Sequence, residues 1–254
     1  MRFVHKVSKG SRFNQIYVPR EMEMIFEVGD LAEVKLLEKC LKLSYSKNLL
    51  KLTEFKEKLI REIFSFLGKF KVIEQVFLVG SFLTQKIEYN DIDIIIITDN
   101  KKLEETVYNE LVEKINLKLH LISITKNSLD YLKQVCPLTR GMLYYGVSNK
   151  EFEVLPRKID KKHIKFLLMM PEDLLEINVS SRIFYDSIRR LITIERFLEK
   201  KNEDPIKVDN KLKILLGEPL FTYTKTNENL DIKEMGKLRE IIKMKLGKIN
   251  KLLK

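Results

Sequence analysis

The sequence predicts an α/β (α+β) chain in three parts: a small β-rich unit over 1–42, a central mixed sheet with flanking helices over 45–157, and a helical domain over 158–254. Three observations carry this. Residues 1–40 alternate apolar and polar side chains between turn residues, the period of a half-buried strand. Apolar runs of strand length then alternate with stretches whose apolar residues recur at helical spacing, which indicates strands layered against helices. From about 160 onward only the helical period remains.

In the first part, 4–7 and 15–18 read as strands. Pro19 starts a helical turn over 20–26, Val28-Gly29-Asp30 is a turn, and 32–37 is a further strand. So short a unit cannot carry a full core alone and must pack on the rest of the chain or on a second copy of itself. In the second part, Leu52, Phe55, Leu59, Ile63 and Phe66 share a helix face, with Gly68 as the stop. A strand over 75–79 leads into Gly80-Ser81, and a second strand begins at Asp91. Leu103, Val107, Leu111 and Ile115 mark another helix, 117–124 a third strand, 127–135 a helix, and 141–146 a strand or turn. In the third part, Pro171 is expected to open a long helix reaching about Lys200, which 202–205 break. The stretch 231–254 is a final helix with Met235, Leu238, Ile242, Leu246, Ile249 and Leu253 on one face.

The chain has 254 residues, 44% hydrophobic and 33% charged, ample material for a core. No apolar run approaches the roughly 18 residues of a membrane span, and the N-terminus has no apolar signal core. Cys40 and Cys136 lie far apart without metal-ligand spacing and are expected to be reduced. A cytoplasmic chain with no membrane partner is therefore expected. The net charge of +11 favours polyanionic partners, nucleotides or nucleic acid. The plain alternative is lysine as a surface filler, and Lys237, Lys245, Lys248 and Lys251 of the last helix read as a solvated face.

The most informative segment is Asp91-Ile92-Asp93 followed by Ile94-Ile95-Ile96-Ile97. Strand alternation points both acids the same way, about 7 Å apart. Two like charges at that separation repel by about 2 kcal/mol at an effective dielectric near 20. The isoleucine run reads as a central strand buried on both faces, where paired acids do nothing for stability. A divalent cation turns the repulsion into attraction, and carboxylate oxygens suit Mg²⁺.

An apolar strand, Gly80-Ser81, nine intervening residues and Asp91-x-Asp93 on a second strand closely resemble the polymerase-β nucleotidyltransferase superfamily, especially its minimal nucleotidyltransferases. Arg140-Gly-Met-Leu-Tyr-Tyr-Gly146 is similar to the family's segment after the third strand, and the resemblance spans about 50–150. It implies that Gly80 and Ser81 hold a triphosphate, that Asp91 and Asp93 bind Mg²⁺, and that a nucleoside monophosphate passes from an NTP, ATP in the first instance, to an acceptor hydroxyl. Two departures stand out. The Arg-Gly pair that often follows Gly-Ser is replaced by Phe82-Leu-Thr-Gln-Lys86, where Lys86 is the candidate replacement cation. The usual third-strand carboxylate is missing, leaving Lys118 and His120 on the polar face. His120 becomes the candidate third catalytic residue, and Lys118 would repel a second metal.

Val7-Ser-Lys-Gly10, Ile16-Tyr-Val-Pro19-Arg20-Glu21 and Val28-Gly29-Asp30 resemble a SpoVT/AbrB-type swapped-hairpin unit, with extra residues at 11–14. That resemblance implies a homodimer and DNA contacts from Lys6, Lys9, Arg12 and Arg20. Farther on, Arg182, Asp186, Arg189 and Arg196 share a helix face, either as a phosphate or acceptor clamp or as an exposed face with i,i+4 pairing. Two functions therefore compete: a nucleotidyltransferase, and a DNA-binding regulator or antitoxin-like protein with a degenerate site.

Overall fold

A computed structural model describes residues 4–35, 41–85, 89, 91–100, 102–153 and 155–254. The chain divides into two compact units, Met1–Cys40 and Leu41–Lys254.

In the first unit, β1 (Ser8–Lys9) and β2 (Asn14–Gln15) form a short antiparallel hairpin, its turn closed by Gly10 N–H donating to Phe13 C=O at 3.0 Å. Pro19, at φ −59°, precedes a single 3₁₀ turn over Arg20–Met22. The strands expected at 4–7 and 32–37 do not form in the described part, since 4–7 and 32–35 pair with nothing, while 36 and 37 lie outside the described residues. A strand needs a partner for its ladder, and within this unit only the hairpin supplies one. None of residues 4–35 is buried.

The second unit opens with β3 (Ser44–Tyr45) and α1 (Glu54–Leu67). Thr53 caps α1 by accepting from Lys56 N–H, and Gly68 ends it. Next come β4 (Gln75–Val79), a 3₁₀ turn over Ser81–Leu83, β5 (Ile92–Ile97) and α2 (Leu103–Ile115), the last stopped by left-handed Asn116 at φ 54°. They are followed by β6 (Leu119–Ile124), α3 (Lys126–Val135), α4 (Pro137–Met142) and β7 (Val147–Ser148). Among the described residues the strands form one mixed sheet in the order β3-β7-β4-β5-β6, parallel only between β5 and β6.

The isoleucine strand is buried on both faces. Ile92, Ile94 and Ile96 pack with Leu59, Ile63, Val107 and Leu111 of α1 and α2. Ile95 and Ile97 face the other way, onto Phe77, Val79 and Leu129. Such double burial explains the absence of an apolar–polar alternation after Asp93.

The helical region differs from expectation at Pro171. That proline does not open a long helix; it lies in the last turn of α5 (Lys161–Asp173), where it forgoes one i→i−4 bond close to the helix end. Asp160 caps α5, accepting from Lys162 N–H and His163 N–H at 2.9 and 3.0 Å. A separate α6 (Ser181–Leu198) forms the centre of the helical core, packed by α7 (Pro205–Leu216), α8 (Glu218–Thr226) and α9 (Ile232–Leu252). A reciprocal capping box between Asp231 and Glu234 starts α9. No helix among the described residues is long and apolar enough to cross a membrane. Cys136 is a free, buried thiol; Cys40 lies outside the described residues.

Candidate active site

The site is assembled by sheet register. In the antiparallel β4–β5 pair Val79 lies opposite Asp93, so the chain leaves β4 as Gly80 beside that carboxylate. In the parallel β5–β6 pair Asp93 lies opposite His120. One line across the sheet therefore carries the glycine-serine turn, an acid and an imidazole. Asp91 sits two residues before Asp93, just ahead of the strand, and is half-buried.

Gly80 has φ 86° and ψ −164°, a backbone that side-chain-bearing residues rarely adopt. A Cβ there would also collide with the Asp93 carboxylate. Both facts favour glycine at this position. Ser81 starts the 3₁₀ turn and is exposed, its carbonyl accepting from Thr84 N–H at 3.0 Å and from Thr84 Oγ1 at 2.7 Å.

Asp93 Oδ1 lies 3.1 Å from His120 Nδ1; the acid side chain is 24% exposed and the histidine 60%. Burial pushes the Asp93 carboxyl above its ordinary value. The His120 hydrogen bond works against that shift, and the negative charge of Asp91 adds to it. Beside His120, a pocket of about 570 Å³ is lined by Glu104, Glu105 and Tyr108. Glu104 is committed structurally, accepting from Ser123 N–H at 3.1 Å on the edge strand.

Gly80, Asp93 and His120 are thus brought together, and Asp91 and Ser81 flank them in sequence. Lys86 lies outside the described residues. Lys118 is exposed just before β6, its carbonyl accepting from Ile92 N–H at 3.0 Å. Lys6, Lys9, Arg12 and Arg20 are all exposed on the N-terminal unit. The four residues of the α6 face do not converge as a clamp. Arg182 pairs with Asp186 at 3.3 Å, Arg189 with Asp209 at 2.7 Å, and Arg196 donates to Asn202 C=O at 2.7 Å. The segment 140–146 ends α4 and continues as a turn, not a strand. Arg140 donates to Lys133 C=O at 2.7 Å and Leu155 C=O at 3.1 Å and pairs with Glu203, while Tyr145 donates to Asp204 at 3.1 Å.

Lys56 escaped the sequence reading. It is 5% exposed under the Ser81 turn, its ammonium donating to Thr84 C=O at 2.8 Å. Burial holds its pKa below the ordinary lysine value. The signal lay in its position, since Lys56 shares the helical spacing of Leu52, Leu59 and Ile63 and so stands on the apolar face.

No curated protein matches the chain. Residues 57–214, more than half of it, match the family described as a nucleotidyltransferase domain, and that span contains the glycine-serine turn, both aspartates and His120. With the match and the site on the same strands, the chain belongs to the nucleotidyltransferase-domain family, within the polymerase-β-like superfamily.

Proposed function

We propose that the chain transfers a nucleoside monophosphate from an NTP, ATP in the first instance, to an acceptor hydroxyl in a Mg²⁺-dependent reaction. The observation that carries this reading is the alignment of Gly80, Asp93 and His120 across three neighbouring strands. The residues suit a hard cation. Asp91 and Asp93 are oxygen donors, and the Asp93 carboxylate is held in a burial and charge environment that a cation would relieve. Among the described residues no group of three or more His, Cys, Asp or Glu is arranged to hold a metal. Phosphate oxygens and water would complete the shell, the usual mode for Mg²⁺. Bound there, the ion would neutralise phosphate charge and acidify the attacking hydroxyl.

The protein's own part is positioning. Gly80 and Ser81 receive the triphosphate through backbone amides and a hydroxyl. The acceptor oxygen bonds to the α-phosphorus, the bond from that phosphorus to the bridging oxygen breaks, and pyrophosphate leaves. The acceptor proton passes to His120. With Nδ1–H donated to Asp93, its Nε2 is the basic nitrogen, and the ring is open to solvent.

Two partners belong to the same proposal. The N-terminal unit exposes Phe13, Met24 and Leu31 and buries none of its described residues, so a second copy completes it and the protein is a homodimer. Lys6, Lys9, Arg12 and Arg20 are its DNA contacts. A second reading, a DNA-binding regulator with a degenerate site, is favoured by His120 standing where a third acid is expected.

Calorimetric titration with Mg·ATP separates the two. The enzyme reading expects wild type to bind and to label an acceptor, and the Asp91→Ala/Asp93→Ala double variant to do neither. If wild type neither binds nor transfers, yet retards DNA in a gel with steep salt dependence, the regulator reading stands instead.

A further inference from the structure

We infer that Lys56 is a positioning residue for both halves of the nucleotide site, clamping the glycine-serine turn to the segment that enters the aspartate strand. The inference deepens the proposed nucleotidyl transfer and rests on that reading for its functional consequence, though not for its structural one.

Lys56 stands in the first turn of α1, outside the strands that carry the site. Its Nζ donates to Thr84 C=O at 2.8 Å. Thr84 closes the turn that begins at Ser81 through two bonds to the Ser81 carbonyl, and Leu83 N–H returns to Gly80 C=O at 3.3 Å. Fixing Thr84 therefore fixes the loop that presents Ser81. The same ammonium sits 5.4 Å above the Phe82 ring and 5.5 Å from the Tyr89 ring. Those rings meet edge to face at 4.9 Å. Phe82 follows Ser81 directly, and Tyr89 precedes Asp91 by two residues. One buried cation thus touches the chain on both sides of the link between phosphate-binding turn and acid pair.

A lysine buried on an apolar helix face costs desolvation that a methionine of the same length avoids. Against that cost stand a charge-assisted bond to Thr84 and contacts with two aromatic rings, on either side of the loop. At 5% exposure Lys56 does not reach a bound triphosphate. It acts through Ser81 and Asp91.

The test uses the full-length chain and the variants Lys56→Met, Lys56→Arg and Tyr89→Leu, read by amide hydrogen exchange and by Mg·ATP titration. Lys56→Met is expected to keep its melting temperature while exchange speeds up at Leu83, Thr84 and Ile92. Its ATP affinity is expected to fall by about tenfold or more, the loss of one charge-assisted bond. Lys56→Arg restores part of both, and Tyr89→Leu, which leaves the Thr84 bond in place, gives a smaller loss. Unchanged exchange at Leu83 and Thr84 in Lys56→Met overturns the clamp. So does ATP affinity equal to wild type. Should Lys56→Met not fold, Tyr89→Leu decides: wild-type exchange at both Leu83 and Ile92 overturns the clamp. Wild-type protein that binds no ATP sinks the proposed function, while the exchange data still decide the clamp.

Discussion

His120 Nδ1 lies 3.1 Å from Asp93 Oδ1, across a parallel strand pair in which the two residues are direct register partners. A carboxylate at position 120 would stand in the same place, facing Asp93. The imidazole instead relieves Asp93, whose charge is opposed by burial and by Asp91.

His120→Asp is therefore expected to lower stability without metal, by roughly 1–2 kcal/mol of added like-charge repulsion. It is also expected to make the melting temperature rise with Mg²⁺ more steeply than in wild type. Thermal unfolding with and without the ion checks both. A variant indifferent to Mg²⁺ would count against a cation at Asp91 and Asp93.

Gly80→Ala meets two obstacles at once, a positive φ and the Asp93 carboxylate in the path of the new methyl group. The expected cost is about 1–3 kcal/mol in urea unfolding, with loss of ATP binding in the molecules that remain folded. Wild-type stability would show that the turn is not held as described.

Glu195 of α6 is 1% exposed, and Lys211, Lys245 and Lys248 approach it at 2.7, 2.6 and 2.6 Å. Burial opposes its charge, but the three lysines outweigh burial and hold its pKa down at about 2, against 4.5 unperturbed. A depressed carboxylate contributes stability that is complete above the unfolded value. Its contribution is expected to persist at neutral pH and to fade as pH falls from about 4.5 toward about 2. Glu195→Gln leaves buried Lys245 without its carboxylate and is expected to cost about 3–5 kcal/mol at pH 7. Urea titrations of both proteins across this window should converge at the acid end; parallel curves would contradict the assignment.

Arg140 ties two carbonyls and the nearly buried Glu203 into the joint between sheet and helices. Arg140→Lys cannot span that fork. It is expected to lose about 2–3 kcal/mol while the folded protein binds ATP as wild type does. Weakened ATP binding in the cold, where the variant is folded, would place Arg140 in the site instead.

The local signals were legible wherever one face of an element is buried. The α2 periodicity, the isoleucine strand and most of α1 and the last helix announce themselves, because apolar residues recur where the core lies; Phe55, expected on the α1 core face, is exposed, and Lys245, read as part of a solvated face, is buried against Glu195. The acid pair was legible for the opposite reason, as charge at the edge of an apolar strand. The stop between α5 and α6 was not, since Pro171 at a helix end and proline at a helix start look alike until the caps at Asp160 and Ser180 are placed. The α6 arginines likewise show a shared face, but their partners, Asp209 and the Asn202 carbonyl, come from elsewhere in the chain.

The sequence by itself determined α1, the strands β4, β5 and β6 with α2 between the last two, the glycine-serine turn and the two aspartates, because periodicity and charge are properties of neighbouring residues. Only the tertiary structure decided that His120 faces Asp93, that Gly80 has no room for a side chain, and that Lys56 lies beneath the turn. Those relations depend on the register of three strands and the docking of a helix, which join residues up to 28 positions apart. No local pattern encodes them.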